Sequence, residues 1–152
     1  MKVLVTGGAG YIGSIAAALL IDSGYEVAVL DDLSTGHADA VPSLAKFIQG
    51  SLLNDSDLDQ ALEGCEAVMH FAAKSLVGES VEKPELYHQV NVGGSEALIN
   101  KMKARGIDKI VFSSTAATYG EPKSIPISEE DLPAPKNPYG ETKLEIDEMI
   151  SE

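Results

Sequence analysis

The chain has 152 residues, of which 44% are hydrophobic and 23% charged, which suits one domain with a buried core and excludes a disordered or collagen-like chain. Eleven Lys and Arg stand against 24 Asp and Glu, and the formal net charge of −13 repels nucleic-acid phosphates and anionic lipid alike. A single cysteine, Cys65, excludes an internal disulfide, no apolar run approaches a membrane span, and the first seven residues are too short for a signal peptide, so a soluble cytoplasmic protein is expected.

Short, nearly continuous apolar runs at 2–6, 26–30, 47–48, 67–70 and 109–112 read as strands of a parallel sheet covered on both faces. Helical spacing fills 11–23, 55–63, a long stretch of about 84–105, and 139–152. Gly24, Gly64 and Gly106 follow the first three helices as left-handed C-terminal residues, and Pro84 suits a first helical turn. From 124 to 138, with Pro122 just before, the prolines Pro126, Pro133, Pro135 and Pro138 and the acids Glu129-Glu130-Asp131 mark a loop. Alternating strands and helices predict an α/β fold: a doubly wound, mostly parallel, Rossmann-like sheet of order 3-2-1-4-5 in one domain over 1–152.

Gly7-Gly8-Ala9-Gly10-Tyr11-Ile12-Gly13 links the first strand to the first helix. Glycines at 7, 10 and 13 permit a tight turn, close approach of backbone N–H groups to a pyrophosphate, and close helix–strand packing. Asp31 ends the second strand, where a carboxylate accepts hydrogen bonds from ribose hydroxyls and repels a 2′-phosphate, which favours NAD over NADP. Asp32 beside it belongs to a solvated turn. Asp55-Ser56-Asp57-Leu58-Asp59 imitates a calcium loop, but Gln60 stands where that loop needs glycine, so the acids read as a helix N-terminus and no metal is expected.

Ser113-Ser114-Thr115 follow the fifth strand, at the end of the sheet where ligands bind in this architecture. Tyr139 and Lys143, four apart, share one helix face, and an ammonium there favours phenolate for acid–base work.

The ordered set Gly7, Gly10, Gly13, Asp31, Ser113-Ser114-Thr115 and Tyr139-x-x-x-Lys143 resembles the extended short-chain dehydrogenase/reductase family. Within it, His70-Phe71-Ala72-Ala73-Lys74, Val77-Gly78-Glu79-Ser80-Val81 and Asn91-Val92-x-Gly94 are similar to the nucleotide-sugar 4-epimerases. The resemblance implies that Tyr139 is the acid–base residue, that Thr115 hydrogen-bonds the reacting sugar hydroxyl, and that Lys143 holds the nicotinamide ribose. It places Lys74 near the nicotinamide end and gives Asn91 a supporting role in the pocket. Tyr11, Ile12, Asp32, Leu33, Ser51, Leu52, Phe71, Ala72, Ala73 and Ser113 complete the expected NAD-contacting set.

The implied parent reaction is reversible epimerisation at carbon 4 of UDP-glucose and UDP-galactose, with a UDP-sugar as substrate and NAD as cofactor. Two positions depart from the family pattern. Ser51 replaces an Asp that contacts adenine, and Ala116 and Ala117 replace the acid that a nucleotide-sugar dehydratase needs. The family continues into a substrate-gripping domain, so this chain is expected to be the cofactor half, with little or no turnover by itself. A non-catalytic NAD-binding module, or another nucleotide-sugar epimerase or reductase, is the alternative. A homodimer is also expected, through Leu86, Val90, Leu98 and Met102 on the long helix and Leu144, Met149 and Ile150 on the last.

Overall fold

The computed structural model describes residues 1–151. Five parallel strands, β1 (Lys2–Thr6), β2 (Glu26–Asp31), β3 (Lys46–Gln49), β4 (Ala67–His70) and β5 (Ile110–Phe112), form one sheet in the order β3-β2-β1-β4-β5. The helices are α1 (Tyr11–Asp22), α2 (Asp55–Ala61), α3 (Val77–Glu82), α4 (Pro84–Tyr87), α5 (Gly94–Arg105) and α6 (Pro138–Ser151). A π turn, His88–Gly93, joins α4 to α5, and 3-10 turns occupy Ala38–Ala40 and Ala116–Tyr119. The architecture is the doubly wound sheet that the sequence predicts.

The backbone divides into two compact units. The first comprises residues 1–73 and 97–113; the second comprises 74–96 and the chain from Ser114 onward. The first unit holds the whole sheet. On one face Leu4, Ala28, Leu30, Ile48 and Val68 meet Leu58 and Ala61 of α2 and Leu98 and Met102 of α5. On the other, Val5, Val27 and Val29 meet Ala17 of α1 with Leu20 and Ile21 packed alongside. Burial on both faces is why the strands are apolar throughout rather than alternating. Removing the fully buried Leu58 side chain, as in Leu58→Ala, costs about 2–5 kcal/mol through lost transfer energy and the cavity left behind. β5 is the sheet's last strand, and Val111 on it is 58% exposed.

Helix ends follow the glycines. Gly24, Gly64 and Gly106 have φ of +85°, +70° and +69°. Gly106 N donates to Lys103 O and Ile107 N to Met102 O, the paired bonds that close a helix on a left-handed residue. At the other end of α2, Asn54 accepts from Ser56 N and Asp57 N, and Asp55 and Asp57 complement the helix dipole, so the acidic run is a helix start.

Three expectations change. The helix expected over 84–105 is interrupted by the π turn, to which Ser95 Oγ at the start of α5 donates through Asn91 O at 2.6 Å. Hydrophobic spacing does not register one extra residue in a turn. The helix α3 was not expected, because Val77 and Val81 are exposed while Ser80 is fully buried, an inverted pattern. Finally, Leu98 and Met102, expected at a dimer surface, are 0% and 4% exposed and lie in the sheet's own core, so they cannot face a second copy. Leu86 and Val90 are half-buried, as are Leu144, Met149 and Ile150. Glu152, the last residue of the expected final helix, lies outside the described residues. Among those described, no helix is long and apolar enough to cross a membrane.

Candidate functional site

In the first unit the glycine turn leaves β1 at Thr6 and enters α1 at Tyr11. Gly7 has φ +70°, and a side chain there would stand 2.6 Å from Ala72 N, because the end of β4 passes directly behind the turn. Gly13 is as constrained: a Cβ would lie 2.2 Å from Gly7 O. Gly10 differs. Beyond its chain neighbours, the one atom of the described residues within 4 Å would be Gly7 O at 3.3 Å, so the open space beside it suits a ligand approaching the backbone.

The N-terminus of α1 has the same character. Gly10 offers no side-chain cap, and the first turn contains no acidic residue, in contrast to α2. The positive end of a twelve-residue helix is thus left to an external anion, as a pyrophosphate site requires. Tyr11 and Ile12 at that end are 84% and 58% exposed. The residues present therefore fit a dinucleotide's phosphates.

Asp31 is tied to this turn. Its carboxylate accepts from Ala9 N and from Leu33 N, each at 2.9 Å, which fixes its oxygens at the end of β2 with lone pairs to spare for hydroxyls. Leu33 has φ +59°, a strained conformation for a residue with a side chain, which costs about 1–2 kcal/mol and is held by that bond to Asp31. Asp32 is exposed and accepts from Ser34 N at 2.8 Å, forming the turn expected of it.

Ser51 N donates to Asp57 Oδ2 at 3.0 Å, and the Asp57 carboxylate fills the space beside Gly50. A negative charge therefore stands at the end of β3 although Ser51 has none. Leu52 is 8% exposed, its side chain spent on the core. Phe71, Ala72 and Ala73 continue β4: Phe71 N donates to Thr6 O and Ala72 N to Thr6 Oγ1. Thr6 Oγ1 also meets the buried His70 Nδ1 at 2.6 Å, and the His70 ring stacks on Phe112. Ser113 N donates to His70 O, placing Ser113 at the end of β5.

The second unit carries Lys74, Asn91, Thr115, Tyr139 and Lys143. Asn91, fully buried in the π turn, brackets Lys74: its Oδ1 accepts from Lys74 N at 2.8 Å and its Nδ2 donates to Lys74 O at 3.0 Å. The same Nδ2 donates to Thr142 Oγ1 on α6, so one amide joins Lys74 to the helix bearing Tyr139. Helical widening at such a residue often accompanies function. Thr115 caps the following 3-10 turn by accepting from Ala117 N at 3.2 Å, which leaves its hydroxyl proton to be donated.

Tyr139 is half-buried in the first turn of α6. Lys143, one turn on, is 3% exposed, and burial lowers its pKa to about 8 while the nearby Asp147 pulls it upward. It therefore remains largely protonated at neutral pH. Spacing alone did not reveal the role of Ser80. Its buried hydroxyl accepts from Tyr139 N at 3.2 Å and donates to Val77 O at 2.7 Å, so α3 supports the start of α6. Tyr87 fixes α3 in turn, with its hydroxyl between Leu76 and Glu79. That bond and the one from Lys83 hold the Glu79 carboxyl below its usual range.

Among known proteins, residues 3–152 match the NAD dependent epimerase/dehydratase family. A UDP-glucose 4-epimerase of Corynebacterium glutamicum is 51% identical over 99% of this chain and 46% of its own length. One from Halalkalibacterium halodurans is 52% identical over 99% of this chain and 45% of its own length. A crystal structure of UDP-glucose 4-epimerase from Brucella ovis in complex with NAD superposes with a TM-score of 0.95 at 45% identity, covering 99% of this chain and 46% of that one. The chain thus spans about half the length of the curated relatives it matches.

Proposed function

The chain belongs to the NAD dependent epimerase/dehydratase family, and from that premise we propose that it is the NAD-binding portion of a nucleotide-sugar 4-epimerase whose whole reaction interconverts UDP-glucose and UDP-galactose. The observation that carries the reading is the Tyr139–Lys143 pair on α6, with a buried lysine that still keeps its charge at neutral pH.

The glycine turn and the α1 N-terminus would bind the pyrophosphate of NAD. Asp31 would accept hydrogen bonds from the adenosine ribose and repel the extra phosphate of NADP. NAD, when bound, supplies the acceptor and later the donor of the hydride at carbon 4. Tyr139, as phenolate, takes the proton of the 4-hydroxyl and returns it when the transient ketone is reduced from its other face. The Lys143 ammonium makes that phenolate accessible. Thr115 donates a hydrogen bond to the reacting oxygen, and Lys143 also engages the nicotinamide ribose. Lys74, fixed by Asn91, lies at the nicotinamide end. Ala116 and Ala117 move no proton, which favours epimerisation over dehydration.

A homodimer also belongs to this reading, with the half-buried Leu86, Val90, Leu144, Met149 and Ile150 as its apolar surface. Calorimetric titration tests the cofactor assignment: NAD is expected to bind more tightly than NADP, and equal or tighter NADP binding contradicts it.

A further inference from the structure

We propose that Asp147 is a positioning residue of the acid–base site: its carboxylate, clamped by the Ser114 hydroxyl, holds the turn that bears Thr115 against α6 and places a negative charge one helical turn from Lys143. The inference rests on the assignment of Thr115, Tyr139 and Lys143 above and adds to it a residue outside that set.

Ser114 Oγ donates to Asp147 Oδ2. The next residue is Thr115, whose turn is internally stiff: Thr115 Oγ1 accepts from Ala117 N, and Thr118 Oγ1 donates to Thr115 O at 2.8 Å. That turn also touches the start of α6, where a side chain on Gly140 would stand 2.7 Å from Ala117 O. The Thr115 segment is therefore pinned to α6 at Gly140 and again at Asp147, about two helical turns apart, and the two contacts bracket Lys143. A single contact would leave the segment free to pivot.

Asp147 also lies one turn beyond Lys143 on the same helix, and its charge favours the ammonium against the burial that disfavours it. The elements packed on α6 in this unit are α3, α4, the π turn and the 3-10 turn. Their titratable groups include Glu79, Glu82, Glu85, His88 and Tyr119. Glu79 is engaged by Tyr87 and Lys83, and His88 pairs with Glu145, itself on α6. Asp147 raises the pKa of Lys143 by its charge. The Ser114 bond fixes where that carboxylate stands beside α6.

The test is an NMR titration of the whole chain labelled with 13Cε-lysine, with the Lys143 signal assigned from Lys143→Arg. Lys143 should titrate near pH 8. Asp147→Asn, which still accepts from Ser114 but has no charge, should weaken proton binding at Lys143 about three-fold or more. Ser114→Ala, which keeps the charge and frees the carboxylate, should move the midpoint in the same direction by less. A wild-type midpoint in Asp147→Asn overturns the proposal, and so does a wild-type midpoint in Ser114→Ala should the first variant not fold. Failure of the chain to bind NAD while these shifts occur would sink the cofactor reading and leave the clamp standing.

Discussion

Replacing Lys143 by methionine should make the protein more stable and less able to bind NAD. The ammonium is 3% exposed, and burial lowers its pKa from 10.5 to about 8. At 1.36 kcal/mol per unit, the folded state bears roughly 3 kcal/mol for holding this charge at neutral pH. Methionine fills similar volume without the desolvation. The attraction of Asp147 for the ammonium is already contained in that shift. The net gain is about 3 kcal/mol, or about 1.5 M in the urea midpoint for an m-value near 2 kcal/mol per M.

The pH dependence has a definite sign. The unfolded chain keeps the Lys143 proton up to its ordinary pKa, whereas the folded chain releases it near 8. Wild-type stability therefore carries the full cost below pH 8 and recovers it between about 8 and 10.5. The gap between variant and wild type should narrow over that window, and the comparison cancels titrations common to both proteins. Urea unfolding followed by circular dichroism at pH 7 and at pH 10 decides the matter. A variant less stable than wild type at pH 7, or a gap that does not narrow with pH, would refute the reasoning.

Asp31→Ala should narrow the preference for NAD over NADP and weaken NAD binding about ten-fold, since the carboxylate both receives ribose hydroxyls and anchors Ala9 and Leu33; calorimetry with both cofactors checks it, and an unchanged ratio speaks against the role. The chain by itself should convert UDP-glucose very slowly or not at all, because binding energy from the remote UDP group normally positions the reacting sugar; strong turnover that disappears in Tyr139→Phe would show that this half suffices. Sedimentation at micromolar concentration should reveal a dimer that Leu144→Glu dissociates, and a clean monomer would remove the helical interface from the account.

The sheet was legible in the sequence because strands covered on both faces are continuous apolar runs, and because Gly24, Gly64 and Gly106 mark helix ends with a conformation few other residues tolerate. The glycine turn, Asp31, Tyr139 and Lys143 were legible as residue types at fixed spacings. What escaped was set by long-range polar contacts. Ser80 supports Tyr139 from 59 positions away, Asn91 brackets Lys74 from 17, and Asp147 holds Ser114 from 33. None of these leaves a local pattern, although the i,i+4 spacing of Lys143 and Asp147 was visible. The dimer expectation misjudged Leu98 and Met102 for a related reason. A helix stripe shows that one face is apolar, not which surface covers it, and here the sheet covers it.

The central claim, that this chain is the cofactor-binding portion of a 4-epimerase, is tested most directly by a chimera. The chain would replace the matching half of the Corynebacterium glutamicum enzyme, which is 51% identical to it, and conversion of UDP-galactose to UDP-glucose would be followed. The account predicts turnover within about ten-fold of that enzyme, falling by about a hundred-fold or more in Tyr139→Phe. A folded chimera that binds NAD and UDP yet interconverts nothing would contradict it.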